Sequence, residues 1–347
     1  MDNANIINLQ QKIVPELTEL LVLRYHVLRQ ISYEQPIGRR ALAGKLDLSE
    51  RILRTQVDFL KKSGLLDFSA SGMTVTQEGT DILGELESFV RQLQGISAIE
   101  KKLSGHLGIA RVIVLPGDAD QEEVVKREIG RSAAHLLSKM LADGKEHIVA
   151  VSGGTTTAAM AASIAGTRPN TVVVPARGGL GDNMSLQANT IATVLAQKLG
   201  ARYRQLYVSD SVSADVLNSI LKDDVVVRSV VEVIKKADIL VHGIGCANIM
   251  ARHRHLSKEL CRQLDEAGAV GEAFGQYCSL EGKPVYMSNN AGLMLSDLQH
   301  IGTIIAVAGG KSKAAAILAV TRVSHQDILI TDEAAAREMV KIAGIAD

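Results

Sequence analysis

Aromatic residues and cysteines are both scarce in this chain. Its 347 residues include no Trp, four Phe and six Tyr, a poor supply for binding single-stranded nucleic acid on rows of stacked rings. The three cysteines, Cys246, Cys261 and Cys278, are too few and too scattered for a disulfide scaffold or a four-ligand zinc site. We therefore expect no metal, and we expect the thiols to be small buried groups in a reducing cytoplasm.

The chain also lacks excess charge and long uninterrupted apolar runs. Lys plus Arg and Asp plus Glu both number 38, so contact with nucleic acid would require a local basic patch. The longest uncharged stretch, residues 147–167, is interrupted by polar residues and glycines at 152–157. The first thirty residues mix apolar and charged side chains and do not resemble a secretory signal. These patterns predict a soluble cytoplasmic protein that does not enter a membrane.

Residues 1–94 carry the pattern of a winged helix-turn-helix with a linker helix. A helical apolar stripe runs from Ile6 to about Ile31, and Gln35-Pro36 ends it. A short helix over 39–46, a tight connection at Asp47-Leu48 and a second helix from the N-cap Ser49 to about Ser63 come next. The second helix should end before Gly64 and bury one face, formed by Ile52, Leu53, Val57 and Leu60.

Two features complete this predicted unit. Apolar segments over 65–68 and 73–76 flank a Ser69-Ala70-Ser71-Gly72 turn, which indicates a β-hairpin. An amphipathic helix follows, and its apolar side is formed by Ile82, Leu83, Leu86, Phe89, Val90 and Leu93.

The segment from Arg39 to Lys62 contains seven basic residues and three acids. Such an excess suits phosphate contacts, and the start of a recognition helix suits base contacts in the major groove. The alternative is a small helical subdomain whose basic residues are simply solvated. We expect Arg51, Arg54 and Thr55 to face base edges, and the full set of predicted DNA-binding residues is Arg39, Arg40, Ser49, Arg51, Arg54 and Thr55.

Residues 95–347 alternate short apolar runs with helical segments such as 121–141 and 186–199. Apolar runs of this length between helices are typical of buried parallel strands. They predict a doubly wound, Rossmann-like α/β domain. The predicted strands are Arg111–Leu115, Ile148–Val151, Thr171–Val174, Ile239–His242, Ile304–Ala308 and Asp327–Ile330.

Ser152-Gly153-Gly154-Thr155-Thr156 lies between a predicted strand and a helix expected over 157–165. Glycines permit close backbone approach, and free N–H groups at a helix start attract anions. The spacing is neither the dinucleotide fingerprint nor the P-loop. A glycine turn of this kind also occurs for packing reasons alone.

Glycine turns follow three further strands, at 178–179, 243–245 and 309–310. Ligands of open α/β sheets bind beyond the carboxyl ends of the strands. Cations near these turns would complete an anion pocket, and the candidates are Arg177, Lys311 or Lys313, and Arg252 or Arg254. The run 252–255 is equally compatible with an exposed polar helix end.

Taken together, these segments resemble the SorC-type sugar-responsive transcription regulators over essentially the whole chain. The matching stretches are Ser49–Lys62, Ser152–Thr156, Val174–Gly181, Val241–Gly245, Gly271–Gly275 and Ala306–Lys313. The resemblance implies a repressor of an operon of central glycolytic enzymes, with fructose 1,6-bisphosphate as its inducer and no cofactor. It also implies a sensor domain with the fold of sugar-phosphate isomerases and glucosamine-6-phosphate deaminases.

By position, the resemblance assigns an effector site. It places one phosphate at Ser152, Gly153, Gly154, Thr155 and Thr156. Arg177 and Gln187 match sugar-phosphate contacts, and His253 and Arg254 match anchors of the other phosphate. Glu272 matches a sugar-hydroxyl contact. Lys313 matches a phosphate contact and is preferred to Lys311.

Two other functions remain open: a regulator that responds to another sugar phosphate, and an isomerase-like or deaminase-like enzyme. Such deaminases resemble one another in a Gly-x-Gly-x-Asp-Gly-His stretch. Here the corresponding stretch is Gly-Ile-Gly-Cys-Ala-Asn-Ile over 243–249, which has neither the carboxylate nor the imidazole for acid–base catalysis. We expect binding without catalysis.

The expected partners are operator DNA, the sugar phosphate and further copies of the chain, as a dimer that forms a tetramer on DNA. The helical stripes over 6–28 and 82–93 are candidates for dimerisation. We expect the bisphosphate to bridge two cationic clusters and so change subunit contacts and the spacing of the DNA-binding units.

Overall fold

The computed structural model describes residues 12–46, 48–179, 183–209 and 212–345. Ile6 and Leu9 of the predicted stripe and Asp47 of the predicted connection lie outside these ranges. The chain divides into two compact units, one up to Ser97 and one from Ala98 onward. Within the described ranges, no helix is both long and apolar enough to cross a membrane.

The first unit contains a helix-turn-helix followed by a hairpin. Its elements are α1 (Pro15–Glu34), α2 (Arg39–Lys45), α3 (Glu50–Lys62), β1 (Leu66–Ser69), β2 (Gly72–Val75) and α4 (Gln77–Leu93), and α5 (Ile96–Leu107) begins at its end. Leu66 pairs with Val75 in the hairpin. An isolated bridge from Ile37 to Met73 extends the hairpin by a third extended segment. The predicted winged helix-turn-helix is confirmed.

Helix α3 begins where the sequence predicts. The Ser49 side chain accepts a hydrogen bond from the Ile52 N–H at 3.3 Å and caps the helix. Leu53, Val57 and Leu60 are buried, but Ile52 is 43% exposed. Placing Ile52 on the buried face was therefore wrong. Successive helix residues are rotated by roughly 100°, so Ile52 lies beside the stripe that begins at Leu53.

Leu53 and Ile52 make a matched pair for a stability test. Leu53→Ala removes a fully buried side chain and should cost the first unit about 2–5 kcal/mol. Ile52→Ala removes a partly exposed one and should cost about 0.5 kcal/mol. Urea titrations of the full chain, with loss of operator binding as the marker for this unit, measure both. Equal losses in the two variants would contradict the assignment.

We expect His26 on α1 to make the first unit sensitive to acid. Its Nε2 is buried and has no hydrogen-bond partner among the described residues. Burial, and then Arg29, lower the pKa of His26 from 6.5 to about 4. The folded state thus disfavours the proton that the unfolded chain binds, so stability present above pH 6.5 is lost as the pH falls toward 4.

We expect about 3 kcal/mol of unfolding free energy to be lost over this range because of His26. The measurement is chemical denaturation at pH 7.5 and pH 4.5 for the native chain and for His26→Phe, which cannot titrate. The variant should show a smaller difference between the two pH values. An unchanged difference would refute the role of His26.

The second unit is built on a seven-stranded parallel sheet flanked by helices. All six predicted strands are present, in the spatial order β3-β13-β12-β7-β4-β5-β6. The strands are β3 (Arg111–Leu115), β4 (His147–Val151), β5 (Thr171–Pro175), β6 (Arg202–Tyr203), β7 (Ile239–Gly243), β12 (Thr303–Val307) and β13 (Ile328–Asp332). The predicted doubly wound α/β class is confirmed. The strand order reverses between β4 and β7, and ligands of such sheets bind at this kind of crevice.

The helices around this sheet lie close to their predicted positions. The predicted helices over 121–141 and 186–199 correspond to α6 and α8. The helices are α6 (Glu123–Met140), α7 (Thr155–Ser163), α8 (Ala188–Leu199), α9 (Ala214–Asp223), α10 (Val225–Ile234), α11 (Ala247–His253), α12 (Lys258–Glu266), α13 (Ala314–Val323) and α14 (Glu333–Ile342).

A second, antiparallel sheet of four strands was not predicted. Its order is β11-β10-β9-β8, with β8 (Gly245–Cys246), β9 (Ala269–Ala273), β10 (Gln276–Ser279) and β11 (Pro284–Met287). One face packs closely on α13: a methyl group added at Gly271 would lie 2.8 Å from the Ala316 carbonyl oxygen of that helix. The other face shares a core with Ala247 and Ala251 of α11. Since both faces are covered, these strands lack the alternation that marks a half-exposed sheet.

Candidate functional site

The turn between β4 and α7 lies at the reversal of strand order. Ser152 is buried, and its Oγ accepts a 2.9 Å hydrogen bond from the Gly243 N–H. A methyl group at Gly153 would meet the Leu186 carbonyl oxygen at 2.7 Å, so the close approach of these two segments requires glycine. One at Gly243 would lie 3.7 Å from the Gly153 carbonyl oxygen. The ends of β4 and β7 and the segment before α8 therefore meet at one point.

Helix α7 starts two residues earlier than predicted, at Thr155, and ends at Ser163 rather than at 165. The N-cap is Gly154, which has no side chain, so no side-chain oxygen caps the first-turn N–H groups. Thr155 is exposed and Thr156 is buried. Amide groups at such a helix start, with a threonine hydroxyl beside them, are suited to an anion.

Two buried arginines converge on one carboxylate beside this turn. Glu272 Oε1 lies 2.5 Å from Arg254 Nη2 and 3.5 Å from Arg177 Nη1, and all three side chains are at most 7% exposed. The same oxygen accepts a hydrogen bond from the Gly275 N–H. This cluster of Arg177, Arg254 and Glu272, here called the arginine pair with its carboxylate, brings two guanidinium groups to one buried carboxylate. Guanidinium groups form strong charge-assisted hydrogen bonds with oxyanions, so the cluster is suited to binding an anion.

The β9–β10 turn holds this cluster in place. Phe274 and Gly275 both have positive φ, 52° and 81°, as a two-residue hairpin turn of type I′ requires. A methyl group at Gly275 would clash with Ser288 Oγ and would come within 3.1 Å of Arg254 Nη1 and 3.2 Å of Arg177 Nη2. Phe274 packs on His242, with ring centroids 4.9 Å apart. Only glycine leaves room for both guanidinium groups here.

The other predicted effector residues differ in burial and in their distance from the cluster. Gln187 is half-buried at the start of α8, and its Oε1 would lie 3.6 Å from a methyl group at Gly179, beside the segment of Arg177. His253 is exposed at the end of α11, and it is not part of the buried cluster. Arg252 is exposed and lines an open groove of about 610 Å³ with Lys258 and Arg262.

The two candidate lysines after β12 also differ. Lys311 faces Glu338 at 3.8 Å, with its side chain 64% exposed. Burial lowers the pKa of Lys313, and the nearby groups include Cys246 and Asp120. Both lysines lie in a 3₁₀ turn, Lys311–Lys313, that precedes α13, so neither of them opens an α-helix.

Amide groups of the Gly309-Gly310 turn and of the 3₁₀ turn after it are bound by carboxylates of the chain itself. The Gly310 N–H donates to Asp332 Oδ2 at 2.6 Å, and the Ser312 N–H donates to Asp120 Oδ2 at 2.7 Å. These carboxylates orient the turn that carries Lys313. Their role was missed because Asp332 and Asp120 are far from this turn in sequence.

In the first unit, the predicted DNA-binding residues form an exposed basic surface. Ser49, Arg51, Arg54 and Thr55 are all exposed at the start of α3. Arg54 is 4.0 Å from Asp58, and Arg40 is 3.4 Å from Glu50; exposed pairs of this kind are weak and can be exchanged for phosphate. Arg39 lies over the Phe68 ring at 5.5 Å.

Arg24 on α1 packs against α3, the helix that carries this surface. The sequence analysis did not predict this contact. Its guanidinium carbon lies 3.5 Å from the centre of the Phe59 ring, and its Nε donates to Gln56 Oε1 at 3.0 Å. No local sequence signal connects Arg24 with α3, because the contact spans more than thirty residues.

Among the described residues around Gly243, neither the nearby imidazole nor the nearby carboxylate is arranged for proton transfer. His242 is fully buried, and its Nε2 lies 2.7 Å from Gln326 Oε1. Burial lowers the pKa of His242, which makes it a neutral core side chain at neutral pH. Glu272 is occupied by two guanidinium groups and so is unsuited to act as a free base.

Comparison with known proteins assigns both units. Residues 20–90 match the family described as “CggR N-terminal DNA binding domain”, and residues 91–341 match the family described as “Putative sugar-binding domain”. The chain is 42% identical over 339 residues to the central glycolytic genes regulator of Priestia megaterium, with 97% of this chain and 98% of that protein covered.

Two further relatives point to the same family. The chain is 40% identical over 338 residues to the central glycolytic genes regulator of Bacillus subtilis, with coverage of 97% and 98%. A solved structure from Enterococcus faecalis, described as a “putative SorC family transcriptional regulator”, is 40% identical with a TM-score of 0.65, and the match covers 70% of this chain and 99% of that one.

These relatives are named as regulators, and residues 20–90 of this chain match a DNA-binding domain, so the alternative of an isomerase-like or deaminase-like enzyme is set aside. The chain binds DNA through its first unit and a sugar ligand through its second. It therefore belongs to the SorC family of sugar-binding transcriptional regulators, and it has the two-domain composition of the central glycolytic genes regulators.

Proposed function

We propose that this chain is a repressor of glycolytic genes whose operator binding is relieved by fructose 1,6-bisphosphate. The observation that supports it best is the arginine pair with its carboxylate at the carboxyl ends of the sheet strands. Its two buried guanidinium groups suit a strongly anionic group such as a phosphate. The names of the two relatives that cover nearly the whole chain point to glycolysis as the regulated process.

A bisphosphate requires a second anion site, and the start of α7 is our candidate. The uncapped amide groups that follow Gly154, together with Thr155 and Thr156, would hold one phosphate. Arg254, assisted by Arg177, would hold the other, and Glu272 would then be available to a sugar hydroxyl. Lys313 is the candidate that would add charge beside the β12 turn.

We further propose that the regulator acts as a homo-oligomer. Ile13, two residues before α1, and Leu17, in its first turn, are apolar and 76% and 62% exposed, which suits a contact with another copy. The ligand would bias the equilibrium between two arrangements of the subunits, and only one of these would fit the operator.

A thermal-shift panel of phosphorylated sugars tests the effector assignment. A ligand that binds only the folded state raises the melting temperature by an amount that grows with the ratio of its concentration to its Kd. Fructose 1,6-bisphosphate should give the largest rise at equal concentration and should release operator DNA in a parallel binding assay. A larger effect from a monophosphate, or stabilisation without release, would overturn the assignment.

A further inference from the structure

Tyr277 lies on the same sheet face as the arginine pair with its carboxylate. It is directly opposite Glu272 in the β9–β10 pair, and Tyr286 of β11 is directly opposite Tyr277. Residues that face each other across antiparallel strands project from the same side of the sheet. Tyr277 shares its core with Ala247 and Ala251 of α11, the helix that Arg254 terminates.

Two buried donors at this place have no partner among the described residues. One is the Tyr277 hydroxyl, whose side chain is 0% exposed, and the other is Arg254 Nε. Buried donors are almost always satisfied, because leaving one unpaired costs the full price of its desolvation. Tyr277 is paired with Glu272 across the strands and Arg254 binds Glu272, so two such donors beside one carboxylate suit acceptors brought by a ligand.

The surroundings of the Tyr277 hydroxyl keep it protonated, and therefore able to donate a hydrogen bond. Burial raises the pKa of Tyr277, and among charged groups Arg254 has the largest effect on it, ahead of Glu272 and Arg177. The phenol is consequently protonated at neutral pH and can give its proton to an oxyanion beside Arg254.

We infer that Tyr277 is a further effector-binding residue, whose hydroxyl and Arg254 Nε donate to oxygens of one phosphate of the sugar ligand. This inference rests on the proposed function. Both donors are buried without ligand, so the phosphate enters by rearranging Ser288 and the Gly275 turn, which pack against Arg254. The phosphate replaces Glu272 Oε1 as the principal acceptor of the guanidinium and satisfies both unpaired donors at once.

The experiment compares Tyr277→Phe with Tyr286→Phe, its half-buried neighbour on β11, in the full chain. Calorimetric titration with fructose 1,6-bisphosphate should show affinity weakened roughly tenfold or more in Tyr277→Phe and unchanged in Tyr286→Phe. The melting temperature of ligand-free Tyr277→Phe should be equal to or above that of the native chain, because the variant removes an unpaired buried hydroxyl.

A second measurement tests the shared phosphate. Arg254→Lys keeps the charge but lacks Nε, and combined with Tyr277→Phe it should lose less affinity than the two single variants added together. Additive losses would overturn the shared phosphate.

The other outcomes separate the two proposals. If the native chain fails to bind the bisphosphate, the proposed function fails. If the native chain binds it and Tyr277→Phe binds equally well, only the present inference fails. A clear fall in the melting temperature of ligand-free Tyr277→Phe would also overturn it, since the hydroxyl would then have a structural partner.

Discussion

Arg254→Ala is expected to weaken binding of fructose 1,6-bisphosphate about a hundredfold and to leave the operator complex insensitive to it. The guanidinium is 3% exposed and holds Glu272, so its charge acts in a poorly screened environment. Hydrogen bonds to charged groups contribute about 1.5–3 kcal/mol each, and removing two of them at the lower end of this range, about 3 kcal/mol, corresponds to roughly a hundredfold loss.

The matched control is Arg252→Ala, two residues earlier on the same helix. Arg252 is exposed and lies in the open groove, so its loss should change effector affinity less than twofold. Calorimetry measures the affinity, and fluorescence anisotropy of labelled operator measures release. Unchanged affinity and unchanged release in Arg254→Ala, or equal losses in both variants, would reject the assigned anchor.

Arg54→Ala is expected to weaken operator binding by about 1–3 kcal/mol, the range for one bidentate contact with a base. Arg54 is 71% exposed near the start of α3, and its ion pair with Asp58 is long, at 4.0 Å. Because Arg54 belongs to the first unit and the proposed sugar site to the second, sugar-phosphate affinity should remain unchanged.

The control for this prediction is Arg262→Ala. Arg262 is also an exposed arginine in helical ion pairs, with Glu259 and Glu266, but it belongs to the second unit. Anisotropy with operator and with scrambled duplex separates two roles of Arg54. If Arg54 contacts a base, the variant should lose more affinity for the operator than for the scrambled duplex. If Arg54 contacts a phosphate, the variant should lose affinity equally for both duplexes, and its binding should depend less on salt. Loss of sugar binding as well would mark Arg54 as a structural residue.

These two predictions differ in how far the sequence alone supports them. Ser49, Leu53 and Arg54 lie in one continuous helix, and the 3.6-residue period separates the buried face from the exposed one. The period also explains the error at Ile52, because an apolar residue next to a buried stripe looks like a member of it. The DNA-binding residues remain a prediction, with their exposure now established.

The sequence alone predicts only part of the arginine pair with its carboxylate. Arg177, Glu272 and Arg254 could each be named through family resemblance, but no local pattern connects them. The second sheet that positions Glu272 was not foreseen, since strands covered on both faces lose the two-residue alternation. Nor could the aspartates that bind the β12 turn have been found, because their hydrogen bonds join distant segments.

The sequence by itself determined which segments become helices and parallel strands, since periodicity and capping act over neighbouring residues. It also placed the glycine turns at strand ends, and hence at the edge of the sheet where we propose that the ligand binds. Only the tertiary structure decided which cations are buried there: Arg254 and Arg177 meet over Glu272, whereas Arg252 and Lys311 face outward. The physical reason is that burial and charge pairing depend on contacts between distant strands, and no local period records them.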